Sequence, residues 1–244
     1  TSSWTMNRVG LTRTWQYAEV QFYPDEKRYG WIKRIAPFVC GVQAKDRVEN
    51  GTEPFILPGV RFNFTRQGYL RVDLGRGRET FAGQRFAIGR NHIDGGAQIL
   101  RWLNVAGSID RGAGIYYDAP VPFAGTNSRR NIRIGLQPSS RLSHNVDYTY
   151  VQFDAESGER VFDLHVLNLR NTYQFNPQFL IRGIVQYDSS RRRVLGDFLG
   201  SYELVPGTVV HAGYGTLLES PERLLPYQAT ARSFFFKASY LARF

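Results

Sequence analysis

The chain has 244 residues, a formal net charge of +10 and an aromatic content of 14%. No apolar run approaches the roughly 18 to 20 residues that a membrane helix needs, so the sequence excludes a helical membrane protein. The single cysteine, Cys40, excludes an intrachain disulfide and a cysteine-based metal cluster. The basic residues are nearly all arginines, spread without a basic stripe or a nucleic-acid-binding motif, which argues against a nucleic-acid partner.

The first half of the chain alternates between apolar and polar residues over short segments that Gly, Pro, Asn and Asp separate. This period of two predicts strands, and helical spacing is nearly absent. The predicted strands are residues 4–9, 13–23, 29–42, 55–65, 69–74, 97–109 and 114–118. Tight turns are predicted at 66–68 and 110–112, and loops at 43–54, 75–96 and 119–128. The glycine-rich 75–96 loop could contain a strand near 79–88.

The second half is more regular, with strands predicted over 129–137, 144–153, 160–169, 177–187, 194–204, 208–218 and 233–244. The total is about 14 strands, and even numbers are the rule for single-chain bacterial barrels. Many of these strands run about 9 to 12 residues, which crosses a bilayer when the strand is tilted. Strands of soluble sandwiches are usually nearer about 5 or 6 residues.

The last predicted strand has one wholly apolar and aromatic face, formed by Phe234, Phe236, Ala238, Tyr240, Ala242 and Phe244. It resembles the closing strand of a bacterial outer-membrane β-barrel, whose final residue is typically Phe and is read by the barrel-assembly machinery. The resemblance implies an all-β fold, a transmembrane antiparallel up-and-down β-barrel over residues 1–244. It also implies location in the bacterial outer membrane, with the assembly machinery as a partner during biogenesis.

The chain also resembles the C-terminal barrel of an uncharacterised bacterial family with an upstream, carbohydrate-binding-like periplasmic domain. The residues that carry this resemblance are Leu57-Pro58-Gly59, Tyr173-Gln174-Phe175-Asn176-Pro177 and Lys237-Ala238-Ser239-Tyr240-Leu241. The resemblance implies that residues 1–244 could be the C-terminal part of a longer chain. It supplies no reaction and no substrate.

The spacing of loops and turns gives an orientation for such a barrel. If Phe244 lies at the periplasmic side, the loops at 219–230, 119–128, 75–96 and 43–54 are extracellular, and the turns at 206–207, 110–112 and 66–68 are periplasmic. Long external loops and short periplasmic turns are typical of outer-membrane barrels. The same alternation places Thr1 in the periplasm.

Alternation along the strands assigns side chains to two environments. The predicted lumen-facing residues are Arg61, Arg71, Asp73, Arg133, Asp147, Asp163, His165, Arg182, Asp197, Glu203, Lys237 and Arg243. The predicted lipid-facing residues are Phe179, Ile181, Tyr202, Tyr214, Phe234, Phe236, Tyr240 and Phe244. The inward charges could form a ladder of ion pairs that stiffens the barrel, or line a channel for a small or anionic solute.

Two arginine clusters are expected at the outer rim. Arg129-Arg130 and Arg191-Arg192-Arg193 could pair with lipopolysaccharide phosphates through charge-assisted bonds, or could be solvated turn charges. Outer-membrane lipid and lipopolysaccharide are therefore predicted partners, together with a protein partner.

Signals for catalysis and for metal binding are weak. His92 and Asp94 could be two ligands of a divalent ion, but two donors in a Gly-rich segment do not define a site. No Gly-x-Ser-x-Gly nucleophile motif occurs. We predict no enzymatic activity, no cofactor and no metal, and a function as a channel or as a membrane anchor for a partner or an upstream domain. The alternative is a soluble β-sandwich that binds carbohydrate or protein.

Overall fold

The computed structural model describes residues 10–48, 50–220 and 226–241. The predicted strand at 4–9 and the predicted site residues Arg243 and Phe244 lie outside these residues. The strands are β1 (Leu11–Glu19), β2 (Ile32–Asp46), β3 (Gly51–Phe64), β4 (Tyr69–Phe81), β5 (Gln84–Leu100), β6 (Leu103–Tyr116), β7 (Phe123–Ser139), β8 (Leu142–Ala155), β9 (Arg160–Gln174), β10 (Phe179–Asp188), β11 (Arg193–Val205), β12 (Thr208–Glu219) and β13 (Gln228–Tyr240).

These strands follow one another in chain order within a single 13-stranded sheet. The pairings within β1 to β5 and within β9 to β13 join neighbours in sequence and are antiparallel, for example β1 with β2 and β12 with β13. The predicted fold class is confirmed: the chain is all-β, antiparallel and up-and-down. One short helix, α1 (Glu26–Tyr29), is capped by the Asp25 side chain, which accepts from the backbone N–H of Lys27. No helix in the described part of the chain is long and apolar enough to cross a membrane.

Three predicted elements of the middle region are wrong. Residues 75–96 are not a loop, because they form most of a hairpin of β4 and β5 with a turn at Ala82 and Gly83. Both turn residues have positive φ, 51° and 72°, and such tight turns suit the right-handed twist of paired strands. The predicted turn at 110–112 lies inside β6, and the chain reverses at 101–102 instead. Part of the predicted loop at 119–128 belongs to β7.

The chain divides into two compact units. Unit 1 consists of residues 1–97, 106–130 and 151–163, and unit 2 of residues 98–105, 131–150 and 164–244. Strands β5 to β9 contribute residues to both units.

In unit 1 the two faces of the strands differ in burial. One face, here called the covered face, carries the buried apolar side chains Ala36, Phe38, Ala44, Phe55 and Phe86. The opposite face, here called the open face, carries the exposed apolar side chains Val39, Ile56, Leu74 and Ile93. The open face thus presents apolar groups where a water-soluble domain presents polar ones.

In unit 2 the registers of β10 to β13 also define two faces. The aromatic face, as named here, consists of Phe179, Ile181, Phe198, Tyr202, Tyr214, Phe234, Phe236 and Tyr240. The polar face, as named here, includes Arg182, Asp197, Ser201, Glu203, His211 and Lys237. Successive strand residues point to opposite sides, so these two sets lie on opposite sides of the same strands.

Candidate functional site

The covered face of unit 1 carries a chain of charged side chains, here called the ionic network. Its members are Arg71, Asp73, Arg90, His92, Asp94 and Asp110. The register brings most of them together, since Asp73 lies opposite His92 and Arg71 lies opposite Asp94. The hairpin of β4 and β5, which the sequence did not predict, is therefore what assembles the network.

Asp73 lies at one end of the network and is fully buried, with 0% exposure. Its Oδ2 is 2.7 Å from Nε of Arg71, and its Oδ1 is 3.6 Å from Nε of Arg90. These four atoms are at ion-pair distance, but among the described residues none has a well-aligned hydrogen bond. The pairing is therefore mainly electrostatic, and a buried carboxylate of this kind depends on both cations.

The other end of the network is centred on His92. Its Nδ1 is 2.7 Å from Oδ1 of Asp110, and its Nε2 is 2.6 Å from Oδ1 of Asp94. Asp110 also lies 2.9 Å from Nε of Arg90, which links the two ends. Both ring nitrogens face carboxylates, so the imidazole can donate to both only when it carries both protons.

This arrangement leaves His92 without a free nitrogen for a metal ion. In the part of the chain that the structure describes, no group of three or more acidic, His or Cys side chains is placed to hold one. The geometry of the network suits cross-strand pairing, which ties β4, β5 and β6 together on this face.

Arg61 belongs to the same face and lies opposite Arg71. Its Nη1 donates to Oε2 of Glu19 at 2.9 Å, and the Tyr17 hydroxyl also bonds to Glu19. The guanidinium groups of both arginines lie over the Phe38 ring, 4.6 Å from its centroid for Arg61 and 5.2 Å for Arg71. A cation near an aromatic face is attracted by the ring quadrupole, so the ring separates two like charges.

Aromatic rings fill the remaining space on the covered face by lying against glycines. A Cβ added at Gly75 would come within 2.3 Å of Cζ of Phe55, and one at Gly77 within 2.5 Å of its Cδ2. A Cβ at Gly59 would come within 2.5 Å of Cζ of Phe38. Only hydrogen fits under the rings at these positions, so the rings lie directly against the backbone of β3 and β4.

The polar face of unit 2 is less tightly connected. The Ser201 hydroxyl is 2.8 Å from Nδ1 of His211, and His211 lies opposite Lys237. Among the described residues no carboxylate is hydrogen-bonded to His211, so the pair lacks the third group that orients a catalytic base. Nε of Arg182 is buried and has no hydrogen-bond partner among the described residues.

The structure brings most predicted lumen-facing residues onto shared faces. Arg61, Arg71 and Asp73 lie together on the covered face of unit 1. In unit 2, Arg182, Asp197, Glu203 and Lys237 share the polar face. Arg133 and Asp147 also belong to that face, since Asn131 on the same side of β7 donates to Asp147 at 2.9 Å.

Two predicted lumen-facing residues lie on the other side of their strand. His165 alternates with Leu167 and Leu169, which pair with Tyr187 and Val185 on the aromatic-face side of β10. Its ring packs 4.6 Å from that of Tyr150, centroid to centroid.

The side chain of Asp163 points to the other side of β9 from that of Phe162, whose ring packs against Phe153 and Tyr116. Alternation had grouped Asp163 and His165 correctly with each other, but it had assigned them to the wrong face. The packing of Phe162 determines the side on which each set lies.

The seven predicted lipid-facing residues that the structure describes all lie on the aromatic face, the set defined above. Phe179 is opposite Tyr202, and Tyr214 is opposite Phe234, with ring centroids 4.8 Å apart in the second pair. Their contact with lipid remains a prediction.

The two arginine clusters have different positions. Arg129 and Arg130 lie within β7, where adjacent residues point to opposite faces, and their contact with lipopolysaccharide remains a prediction. Arg191 and Arg192 lie in the turn between β10 and β11, and Arg193 begins β11 with its Nε 3.7 Å from Oδ2 of Asp188.

Sequence reasoning missed Glu19, Arg90 and Asp110 as members of the charged clusters. Asp110 was assigned to a turn because Asp-Arg-Gly is a turn-like triplet, and Arg90 was assigned to a loop because of the surrounding glycines. The available signal was the alternation of Arg90, His92 and Asp94, which places all three on one face of a strand.

No family model and no curated protein matches this sequence. Solved structures that are similar include a CymD monoaromatic hydrocarbon channel, with 9% identity over 86% of this chain and 81% of that chain and a TM-score of 0.33. The Ralstonia pickettii toluene transporter TbuX is 10% identical over 84% of this chain and 64% of that chain, with a TM-score of 0.34. The Pseudomonas putida toluene transporter TodX is 11% identical over 94% and 85%, with a TM-score of 0.34. At these TM-scores the similarities carry no inference about this chain.

Proposed function

We propose that this chain is an integral β-barrel of the bacterial outer membrane, without enzymatic activity, and that it serves as a channel for a small solute. The observation that carries the membrane location is the exposure of the aromatic face. Phe198, Tyr202 and Ile181 are 51%, 46% and 41% exposed, although they are large apolar side chains on strands that are paired on both sides. Contiguous exposed apolar surface of this kind marks contact with a membrane or a partner.

A soluble sandwich is less consistent with these positions. In a sandwich the apolar face of each strand packs against a second sheet, so Ile181, Phe198 and Tyr202 would be buried. Their exposure instead favours a hydrocarbon environment, in which alternate strand residues face lipid.

Strand length and chain reversal support the same proposal. The strands run from 9 to 17 residues, and about 9 to 11 residues cross a bilayer when tilted. The reversals between β2 and β3 and at 82–83 alternate along the chain with those at 65–68 and 101–102, so we assign the first two to the predicted extracellular end. Counting strands in chain order gives the same assignment to the turn that carries Arg191 and Arg192, for which the proposed partner is lipopolysaccharide phosphate.

A specific observation favours a second candidate function. The covered face of unit 1 carries charges that pair with one another and the buried rings of Phe38 and Phe55, which we take as the interior of a plugged barrel. A barrel with a filled interior acts as a membrane anchor for a partner protein or for an upstream periplasmic domain. Conductance across a planar lipid bilayer separates the two candidates, because an anchor conducts no ions while a channel does.

The membrane location is tested by the substitution Phe236→Asp, with Ser239→Asp on the opposite side of β13 as the matched control. We expect Phe236→Asp to abolish assembly into lipid vesicles, since it puts a charge into hydrocarbon, while Ser239→Asp assembles normally. Assembly is measured by the heat-dependent shift in migration on a gel. Equal assembly of both variants, or a wild-type chain that stays monodisperse without detergent, contradicts the proposal.

A further inference from the structure

We propose that the open face of unit 1 binds the phosphate groups of an outer-leaflet lipid through Lys45, Arg76, Arg78 and Arg85, here called the basic rim. None of these residues was singled out for this role by the sequence. The inference rests on the proposed membrane location and adds to it a binding site and the chemistry of its ligand.

The four cations lie on the same side of the sheet, three of them on the neighbouring strands β4 and β5, and Lys45 on β2, which β3 separates from β4. Arg76 is opposite Gly89 and Arg78 is opposite Ala87, two residues from Arg85. Diagonal neighbours of this kind are about 7 to 8 Å apart, which is within reach of long side chains. Lys45 lies near the end of β2 beside the 47–50 turn, and Arg85 begins β5 directly after the 82–83 turn.

The same face becomes apolar away from these turns. Ile56 lies opposite Arg76, at the inner edge of the basic rim, and farther along the strands come Val39 and Leu74 and then Ile93, all of them exposed. A row of cations above an apolar band matches a lipid, whose phosphates lie above its acyl chains.

A groove lies between the cations and β1. It has a volume of about 530 Å³, and its polar lining includes Thr14, Gln16, Gln43, Arg76 and Arg78. Gly41 forms part of its floor, where an added Cβ would meet nothing within 4 Å. The groove therefore offers hydroxyl, amide and guanidinium donors to phosphate oxygens in one place.

Among the residues that the structure describes, the charges of Lys45, Arg78 and Arg85 are not balanced by neighbouring acids, since no carboxylate there lies at ion-pair distance from them. The acids of these strand ends, Asp46 and Glu79, are buried on the covered face instead.

Arg76 is positioned rather than neutralised, because its Nη2 donates to Oδ1 of Asn91 at 2.9 Å and its Nη1 to the carbonyl of Gly75 at 2.7 Å. Guanidinium groups held this way suit bidentate contact with phosphate.

The test uses the full chain purified in zwitterionic detergent and lipid A as the probe. Binding of lipid A with both phosphates is compared with binding of the same lipid after both phosphates are removed. The variant Arg78→Gln/Arg85→Gln is compared with Arg66→Gln, which removes an exposed arginine from the 65–68 turn at the other end of β3 and β4. At about a fivefold loss for each arginine, we expect the double variant to bind diphosphorylated lipid A roughly 25-fold more weakly.

The expected pattern is a loss confined to the double variant and to the phosphorylated lipid, with Arg66→Gln unchanged. Equal binding of the dephosphorylated lipid, or an equal loss in Arg66→Gln, overturns the proposal. Displacement of lipid A by an equal concentration of inorganic phosphate also overturns it, because the site would then select a free anion. Heat-dependent gel migration of each variant keeps this outcome separate from a failure of the proposed membrane location.

Discussion

The covered face of unit 1 buries a charged side chain, whereas the aromatic face of unit 2 leaves large apolar side chains exposed. On the covered face, Asp73 is entirely buried and Arg71 and Arg90 compensate it. On the aromatic face, Phe198 and Tyr202 are exposed although they are large apolar side chains. A water-soluble protein buries its rings and exposes its carboxylates, so both faces depart from that pattern.

The comparison shows that period-two alternation alone does not identify the inside of a β protein. Both regions alternate in the same way, and only the partners across the strands show which set is covered. The four predictions that follow test how different the two faces are, and they run from the largest expected effect to the smallest.

Asp73→Ala is expected to lower the free energy of unfolding by about 3–5 kcal/mol, because it leaves the buried charges of Arg71 and Arg90 without a counter-ion. Urea unfolding in lipid vesicles measures the change. The control is Asp163→Ala, which removes an exposed carboxylate 4.0 Å from Arg160 and should cost at most about 1 kcal/mol. Similar losses for the two variants would remove the distinction between a buried network and surface charge.

Phe198→Arg is expected to cost about 2–4 kcal/mol if the aromatic face lies against hydrocarbon. Phe198 is opposite Gly183 and Tyr214 on that face, so the new charge would have no polar neighbour there. Gln186→Arg, on the polar face of β10, serves as control and should have a small effect. The free energy of unfolding is measured with urea in lipid vesicles. If Phe198→Arg leaves it unchanged, the aromatic face lies in an aqueous environment.

Gly75→Ala is expected to cost about 1–3 kcal/mol, since the added methyl group would overlap the Phe55 ring. The double variant Gly75→Ala/Phe55→Leu should recover part of the loss by making room. Gly41→Ala is the matched control, because an added Cβ there meets nothing within 4 Å. If Gly41→Ala destabilises as much, the loss reflects strand glycines in general and not the packing of Phe55.

Ser201→Ala removes one hydrogen bond to His211 and should cost only about 1 kcal/mol. The polar face of unit 2 is less connected than the ionic network, so a loss as large as that of Asp73→Ala would erase the contrast between the two regions. Thermal unfolding in one detergent, with both variants compared side by side, provides the measurement.

The sequence predicted much of β10 to β13, because long strands there alternate without interruption. The seven described members of the predicted lipid-facing set therefore fall on one face. Local alternation was sufficient in this region since each strand repeats the same pattern as its neighbour.

The hairpin of β4 and β5 was not predictable in this way. Gly75, Gly77 and Gly89 belong to the glycine-rich segment for which the sequence predicts a loop, whereas two of them make room for a ring that comes from β3. That requirement depends on a residue some twenty positions earlier, so no local window contains it. The ionic network was missed for the same reason, because Arg90 and Asp110 meet only after β5 and β6 are formed.

The fit of Phe55 against Gly75 and Gly77 has a consequence for how strands are added to the growing sheet. The ring occupies a notch in the backbone of β4 that exists at one alignment of the two strands, with Phe55 opposite Gly77. A slip of two residues in one direction would bring Phe55 opposite Glu79, whose side chain leaves no such notch. The packing of Phe55 thus favours the observed register of β3 and β4, and β4 in that register is correctly aligned to pair with β5.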